Sequence, residues 1–238
     1  MPEQEPERIA TQYDAFADAY GDGGPYNELY ERPAMLELLG EVAGSMVLDV
    51  GCGSGVLTER LLARGAEVVG FDSSEQMLRR ARGRLGADAP VRLHDLHEPI
   101  SWLADAGIDV VVGSLVMHYI EDWQPVLAEF RRVLRPTGRL VFSTHHPFCD
   151  FVLLDRPDYF TVEQIGDQWS HSGVYYPVRF WRRPLSVIVS DLVAAGFVIE
   201  QLAEPRPTSW EGFTERDRER LSTQPWFLFV VARAVEPR

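Results

Sequence analysis

Residues 46–55 read Met46-Val47-Leu48-Asp49-Val50-Gly51-Cys52-Gly53-Ser54-Gly55. The first five, apolar apart from Asp49, suit a parallel strand buried on both faces, and the run stops at Gly51. Three glycines at alternate positions let the backbone turn sharply and approach a ligand closely, with a helix N-terminus directly behind. That helix shows in Val56, Leu57, Leu61 and Leu62, which share one face, and it ends at Gly65.

The same rhythm continues downstream. A second strand is expected over 67–71. Ser73 and Gln76 then have the spacing of a capping box, opening a helix with Met77, Leu78, Ala81 and Leu85 on its apolar face. Short strands follow at 91–93 and 108–112. Asp122 can cap a helix whose Val126, Leu127, Phe130, Val133 and Leu134 fall at helical spacing, and a fifth strand runs over 139–144. Upstream, Ile9, Tyr13, Phe16 and Tyr20 form one helical stripe, and a second helix is expected over 27–39. Residues 147–183 lose the alternation and are crowded with aromatics and prolines. Pro184 opens a last core helix, and strands at 197–202 and 226–232 close the chain as an antiparallel pair. Between them a polar loop carries the alternating charges of 215–220, which read as a surface helix. Repeated βα units imply a doubly wound α/β sandwich in one domain.

Composition removes whole classes of chemistry. All 23 cationic residues are arginine. With no lysine there is no P-loop, no Schiff-base or pyridoxal-phosphate chemistry and no protein-kinase site. A formal charge of −13 disfavours nucleic acid as a partner. Cys52 and Cys149 are the only cysteines, too few for a disulfide scaffold or a cysteine-rich zinc site, and a reducing compartment suits them. No apolar run approaches the ~20 residues of a membrane span, and the polar N-terminus does not read as a signal. A cytoplasmic protein is expected, a monomer or a homodimer, with no membrane partner.

In open α/β sheets the ligand lies beyond the carboxyl ends of the strands. Those ends carry the glycine loop, then Asp72, then Asp95-Leu96, then Ser114-Leu115. A carboxylate at Asp72 is placed to accept from the hydroxyls of a ribose. The dinucleotide pattern G-x-G-x-x-G fails, because its sixth position is Val56. Residues 47–55 instead resemble the first motif of the class I S-adenosylmethionine-dependent methyltransferases, and Gly70-Phe71-Asp72 resembles the second. Asp95-Leu96, Leu115-Val116-Met117-His118 and residues 134–138 follow in that family's order. The resemblance is strong over 44–144.

The family implies an α/β Rossmann-like fold: a seven-stranded, mostly parallel sheet with an antiparallel C-terminal hairpin and helices on both faces. It divides the single domain into an N-terminal helical cap (1–40), a SAM-binding core (41–146), a lid insert (147–183) and a C-terminal helix and hairpin (184–238). S-adenosyl-L-methionine is the implied cofactor. Gly51, Gly53 and Gly55 would flank its methionine moiety, with Cys52 between them and Asp49 near the amino group. Asp72 would take both ribose hydroxyls, with Ser73 beside it. Met77 would pack on the adenine, Asp95 would accept from the adenine amino group and Leu96 would lie against the ring. Ser114 or Leu115 would meet the methionine amine by a backbone carbonyl. Tyr13-Asp14 and Tyr20 look similar to the tyrosines that close over the cofactor in small-molecule members.

Methyl transfer from a sulfonium needs mainly alignment, with a base where the acceptor must lose a proton. The candidates are His145, His118 and His146. Residues 145 and 146 are adjacent, so at most one faces the acceptor, and capping or core roles compete for each. No metal is expected, because neighbouring histidines rarely converge on one ion. The aromatics of the insert suit an apolar or aromatic pocket, and Arg179, Arg182 and Arg183 are set either for an anionic group or for solvent. The acceptor expected is a small molecule, methylated at oxygen or nitrogen, with carbon also open. The general look is similar to ubiquinone/menaquinone-biosynthesis-type methyltransferases. The alternatives are an RNA or protein methyltransferase, and a catalytically silent SAM-binding regulatory or scaffold protein.

Overall fold

Alternation along β1 (Met46–Val50) sets the two faces of the sheet. In this computed structural model, which describes residues 13–14, 23–171 and 174–235, Val47 and Leu48 are both fully buried, on opposite sides. β1 is an interior strand of a seven-stranded sheet. With it run β2 (Glu67–Asp72), β3 (Val91–Leu93), β4 (Ile108–Gly113) and β5 (Leu134–His145), all parallel, and β2 and β4 flank it. Two further strands, β6 (Glu163–His171) and β7 (Val174–Arg182), form a separate antiparallel hairpin. The sheet closes with β8 (Phe197–Ala203) and β9 (Phe227–Ala234), in the order β3-β2-β1-β4-β5-β9-β8. β9 is antiparallel to both of its neighbours.

The helices cover the two faces. The first, α1, starts at Gly24–Tyr26, widens through a π-helical turn at Asn27–Glu31 and continues as Arg32–Leu39. It packs with α2 (Val56–Ala63) on the face bearing Val47, Val110, Val112 and Val141. The helix α3 (Glu75–Leu85) lies behind the glycine loop, where Leu78 and Ala81 pack with Cys52 and Val91. On the opposite face, Leu48, Val111 and Leu140 meet Leu127 and Phe130 of α4 (Trp123–Val133). The chain is completed by α5 (Pro147–Leu153), α6 (Leu185–Ala194), whose Ile188 and Leu192 join that second face, and α7 (Glu215–Thr223).

Several expectations need correction. The cap of α3 is Ser74, whose hydroxyl accepts from Met77 N at 3.1 Å, one residue after the expected Ser73. Asp122 does cap α4, accepting from Gln124 N at 2.9 Å. The insert is not irregular: it holds α5 and the β6–β7 hairpin, so the described residues contain nine strands in two sheets. Its alternation was hidden by Gly166 and Pro177, which face each other's strands within the pairing. Ile165, Val178 and Phe180 of that hairpin bury one face around Tyr119. The expected 9–20 helix, and with it Tyr20, lies outside the described residues apart from Tyr13 and Asp14.

Arg182 and Arg183 are neither solvated nor offered to a substrate. Arg182 is 1% exposed and donates to the carbonyls of Asp158, Tyr159 and Thr161 and to the Glu163 carboxylate. Arg183 is buried over the Trp123 ring and donates to Ile120 O and Glu121 O. One guanidinium with five donors thus ties together a loop that has no core of its own. Arg182→Ala leaves the three carbonyls without their donor and Glu163 with Arg156 as its remaining cation, at a cost of about 1–3 kcal/mol. Amide exchange over 156–182 is expected to accelerate far more than exchange in β1 and β4; equal acceleration everywhere would refute a locally stapled insert.

Candidate active site

A cavity of about 1030 Å³ opens at the carboxyl ends of the central strands. Its floor is the glycine loop. Gly51 has φ 66°, and a Cβ there would stand 2.6 Å from Val116 Cγ2, so the loops after β1 and β4 touch at a point that only glycine permits. Gly53 and Ser54 follow on the wall. Gly55 is different. It does not line the cavity; it caps α2 in the left-handed region, where a Cβ would lie 3.1 Å from Ala81 Cβ of α3. Cys52 lines the cavity, but its side chain packs under Gly70, and burial holds its thiol well above the usual range.

Carboxylates ring this floor. Asp72, at the end of β2, accepts from Gly53 N (2.9 Å) through one oxygen and from Ser74 N (2.8 Å) through the other. A carboxylate has about four acceptor sites, so capacity remains on both oxygens. Desolvation outweighs those bonds and raises Asp72 to about 6. Asp49 is buried, and its Oδ2 accepts from Thr58 Oγ1 at 2.6 Å. Its Oδ1 is buried with no hydrogen-bond partner among the described residues. Burial first, then the charges of Asp72 and Glu31, raises Asp49 to about 7. Asp95 accepts from His97 N (3.0 Å) and faces His97 Nδ1 at 2.7 Å, which raises the histidine.

Ser73, Met77, Asp95, Leu96, Ser114 and Leu115 all line the same cavity. Tyr13 lines it too, its hydroxyl 2.7 Å from that of Tyr119, while Asp14 accepts from Ser74 Oγ. The N-terminal segment is therefore tied to the cavity edge at two adjacent residues. Sequence reading missed Arg32, buried on α1 and lining the cavity, as well as Tyr119 and Gln164; Trp181, one of the aromatics of the insert, lines the far wall. Arg179 also lines that wall. Arg32 pairs with Glu28 one turn back. No spacing rule points to it, because the π-helical turn sets its direction.

The three histidines come together only in part, and none lines the cavity. His118 and His145 stack with ring centroids 4.0 Å apart. Among the described residues, both His118 ring nitrogens and His145 Nδ1 are buried without hydrogen-bond partners. Burial holds His118 well below its ordinary value and His145 down at about 4. Asp150 Oδ1 lies 3.7 Å from His145 Nδ1, yet burial raises Asp150 to about 8. The opposed shifts mean a neutral acid beside a neutral imidazole at pH 7, not an ion pair. His146 caps α5, accepting from Phe148 N at 3.2 Å, and meets Glu204 at 2.7 Å.

Comparison with known proteins agrees with this geometry. A family model described as a methyltransferase domain matches residues 48–142. An uncharacterized protein of Haemophilus influenzae is 31% identical, covering 88% of this chain and 89% of that protein. The crystal structure of an S-adenosylmethionine dependent methyltransferase from Mesorhizobium loti is similar with a TM-score of 0.68 at 27% identity, covering 89% of this chain and 99% of that one. The chain belongs to the class I S-adenosylmethionine-dependent methyltransferases. A ubiquinone biosynthesis O-methyltransferase of Hahella chejuensis is 37% identical over 133 residues, 53% of this chain and 55% of that relative. The match to that enzyme thus spans about half of each protein.

The cofactor of this methyltransferase is S-adenosylmethionine, and the residues present fit it. The orphaned oxygen of Asp49 suits a cationic amine, Asp72 has acceptor capacity for vicinal hydroxyls, and Met77 and Leu96 offer apolar surface. Among the described residues no helix is long and apolar enough to cross a membrane, and no cluster of three or more His, Cys, Asp or Glu side chains is arranged to hold a metal ion.

Two predictions follow from these carboxylates. Asp72→Asn puts an amide N–H against a backbone N–H and removes the charge, so S-adenosylhomocysteine binding should weaken by roughly 1.5–3 kcal/mol. Calorimetric affinity equal to that of the parent would count against Asp72. Asp150 ionises near 3.9 when unfolded and near 8 when folded, so its contribution to stability is present at low pH and lost as pH rises through that window. Asp150→Asn should melt with the parent at pH 4 and above it at pH 8. A pH-independent difference would refute the buried neutral acid.

Proposed function

We propose that this enzyme methylates a small-molecule acceptor, at oxygen or nitrogen with carbon also open, and that the acceptor is apolar or aromatic. The observation that carries this reading is the continuity of the cavity. One space runs from the glycine loop to the β6–β7 hairpin, where Gln164, Arg179 and Trp181 form the wall. That is room for cofactor and acceptor side by side behind a cover, the arrangement that excludes water from a transfer reaction. The Hahella chejuensis relative, named as an O-methyltransferase, supports oxygen as the first choice.

In this reading each wall has a task. Asp72 takes the ribose hydroxyls, with Ser73 beside it, and Met77, Leu96 and Asp95 take the adenine. Asp49, with the backbone at Ser114 and Leu115, takes the methionine amine over the loop of Gly51, Cys52 and Gly53. Arg32 is a cation at the same end of the cavity and suits the carboxylate. Tyr13 and Tyr119 close the space between this end and the acceptor; Tyr20 is assigned alongside Tyr13. When bound, the cofactor supplies a methyl group already activated by a sulfonium. The protein contributes alignment and water exclusion.

For an acceptor that must lose a proton, His145 is the base, with His118 stacked on it. Burial keeps both neutral at pH 7, and they stand behind Tyr119, which lines the cavity, so proton transfer requires that ring to shift. His146 is engaged by the cap of α5 and by Glu204, which supports a structural role in preference to a catalytic one. General-base catalysis is worth about 10²–10⁴ in rate. With labelled cofactor and a panel of phenols, amines and carbon acids, His145→Asn should lose turnover on that scale while S-adenosylhomocysteine affinity is kept. Unchanged turnover would leave alignment as the whole of catalysis. Label appearing only on RNA or protein would overturn the small-molecule reading, and binding with no turnover on any acceptor would favour a silent binding protein.

A further inference from the structure

The first helix carries three consecutive buried residues, Tyr30, Glu31 and Arg32. Tyr30 and Glu31 close the π-helical turn Asn27–Glu31, and Arg32 opens the α-helix that follows it. Glu31 is completely buried. Its Oε1 accepts from Ser143 Oγ at 2.6 Å and from Ser114 Oγ at 2.9 Å, while Oε2 is buried without a hydrogen-bond partner among the described residues. Two hydroxyls and the more distant charge of Arg60 compensate this carboxylate poorly, and burial raises Glu31 to about 7.

What this arrangement holds is a strained turn. Leu115 has φ 52°, a left-handed conformation that a branched side chain rarely adopts. Its N–H donates to Ser143 Oγ at 3.0 Å. Because that hydroxyl oxygen accepts from Leu115, its own hydrogen goes to Glu31. The chain Leu115 N–H, Ser143 hydroxyl, Glu31 carboxylate therefore has a fixed direction, and Ser114 adds a second bond to the same oxygen. The turn so held lies on the cavity wall, and its Val116 is the side chain pressed against Gly51.

We propose that Glu31 is a positioning residue: through Ser143 and Ser114 it clamps the turn at Leu115 against the glycine loop and sets the shape of the cofactor end of the cavity. This rests on the reading that the cavity holds S-adenosylmethionine. It accounts for a buried charge that stability alone disfavours. It also separates two effects that a purely structural residue would keep together.

The test measures melting temperature and S-adenosylhomocysteine affinity on the same full-length variants. Glu31→Met removes a poorly compensated buried charge at similar volume, so it should melt at or above the parent. It should nevertheless bind roughly tenfold more weakly, since the turn is released. Glu31→Gln keeps an oxygen that accepts both serine bonds and should bind within about threefold of the parent. Ser143→Ala breaks the same link with the carboxylate in place and should weaken binding in the same direction. Parental affinity in Glu31→Met overturns the proposal. If that variant does not fold, parental affinity in Ser143→Ala overturns it instead. Loss in Glu31→Gln equal to that in Glu31→Met also overturns it, because the effect would then belong to charge. Failure of the parent to bind is a separate result, which would sink the reading of the cavity before that of Glu31.

Discussion

Burial of β1 on both faces is the constraint on which the rest of this structure depends. Val47 and Val112 on one side, Leu48 and Val111 on the other, leave no route for water to the central strands. Helices must cover both faces, so they leave the strand ends as the only place where backbone and polar groups converge. The parallel pairing of five strands brings their carboxyl ends to one edge, and every loop that lines the cavity floor starts there. The antiparallel β9 completes the sheet beside β5 and carries Phe227 up to His145.

At that edge the protein gathers negative charge in a poorly solvated place. Glu31 and Asp49 are fully buried and raised to about 7, and Asp72 is raised to about 6, chiefly because burial disfavours their ionised forms. Such groups weaken the fold at neutral pH, since each ionises more easily in the unfolded chain. The burden is intelligible in a cavity that receives a cationic cofactor. The absence of lysine takes nothing away from this site, because a sulfonium brings its own positive charge and no amine nucleophile is needed.

The glycine-loop end of the cavity was largely legible in the sequence. Met46 to Gly55, the Asp72 that ends β2 and the Asp95-Leu96 pair sit at strand ends, and strand ends can be read from apolar runs and the glycines that stop them. The Ser73 capping assignment failed by one residue because Ser73 and Ser74 are both good caps, and only the backbone angles choose. The hairpin end of the cavity was barely legible. The hairpin β6–β7 contains Gly166, Pro177 and several polar residues in its strands, so its period-2 pattern is broken where the pairing is regular. Arg182 and Arg183 looked like surface charge, since nothing local announces a guanidinium surrounded by carbonyl groups.

Local spacing by itself determined the βα order of residues 46–145 and the residues of the glycine floor. These follow from periodicity and from the few residues that can turn a chain, both short-range properties. Only the tertiary structure decided the electrostatics and the far wall. Glu31 meets Ser143 across 112 residues, and Tyr13 meets Tyr119 across 106. His118 stacks on His145 because β4 and β5 happen to be neighbours in the sheet. Desolvation depends on everything packed around a group, and no stretch of sequence contains its own surroundings.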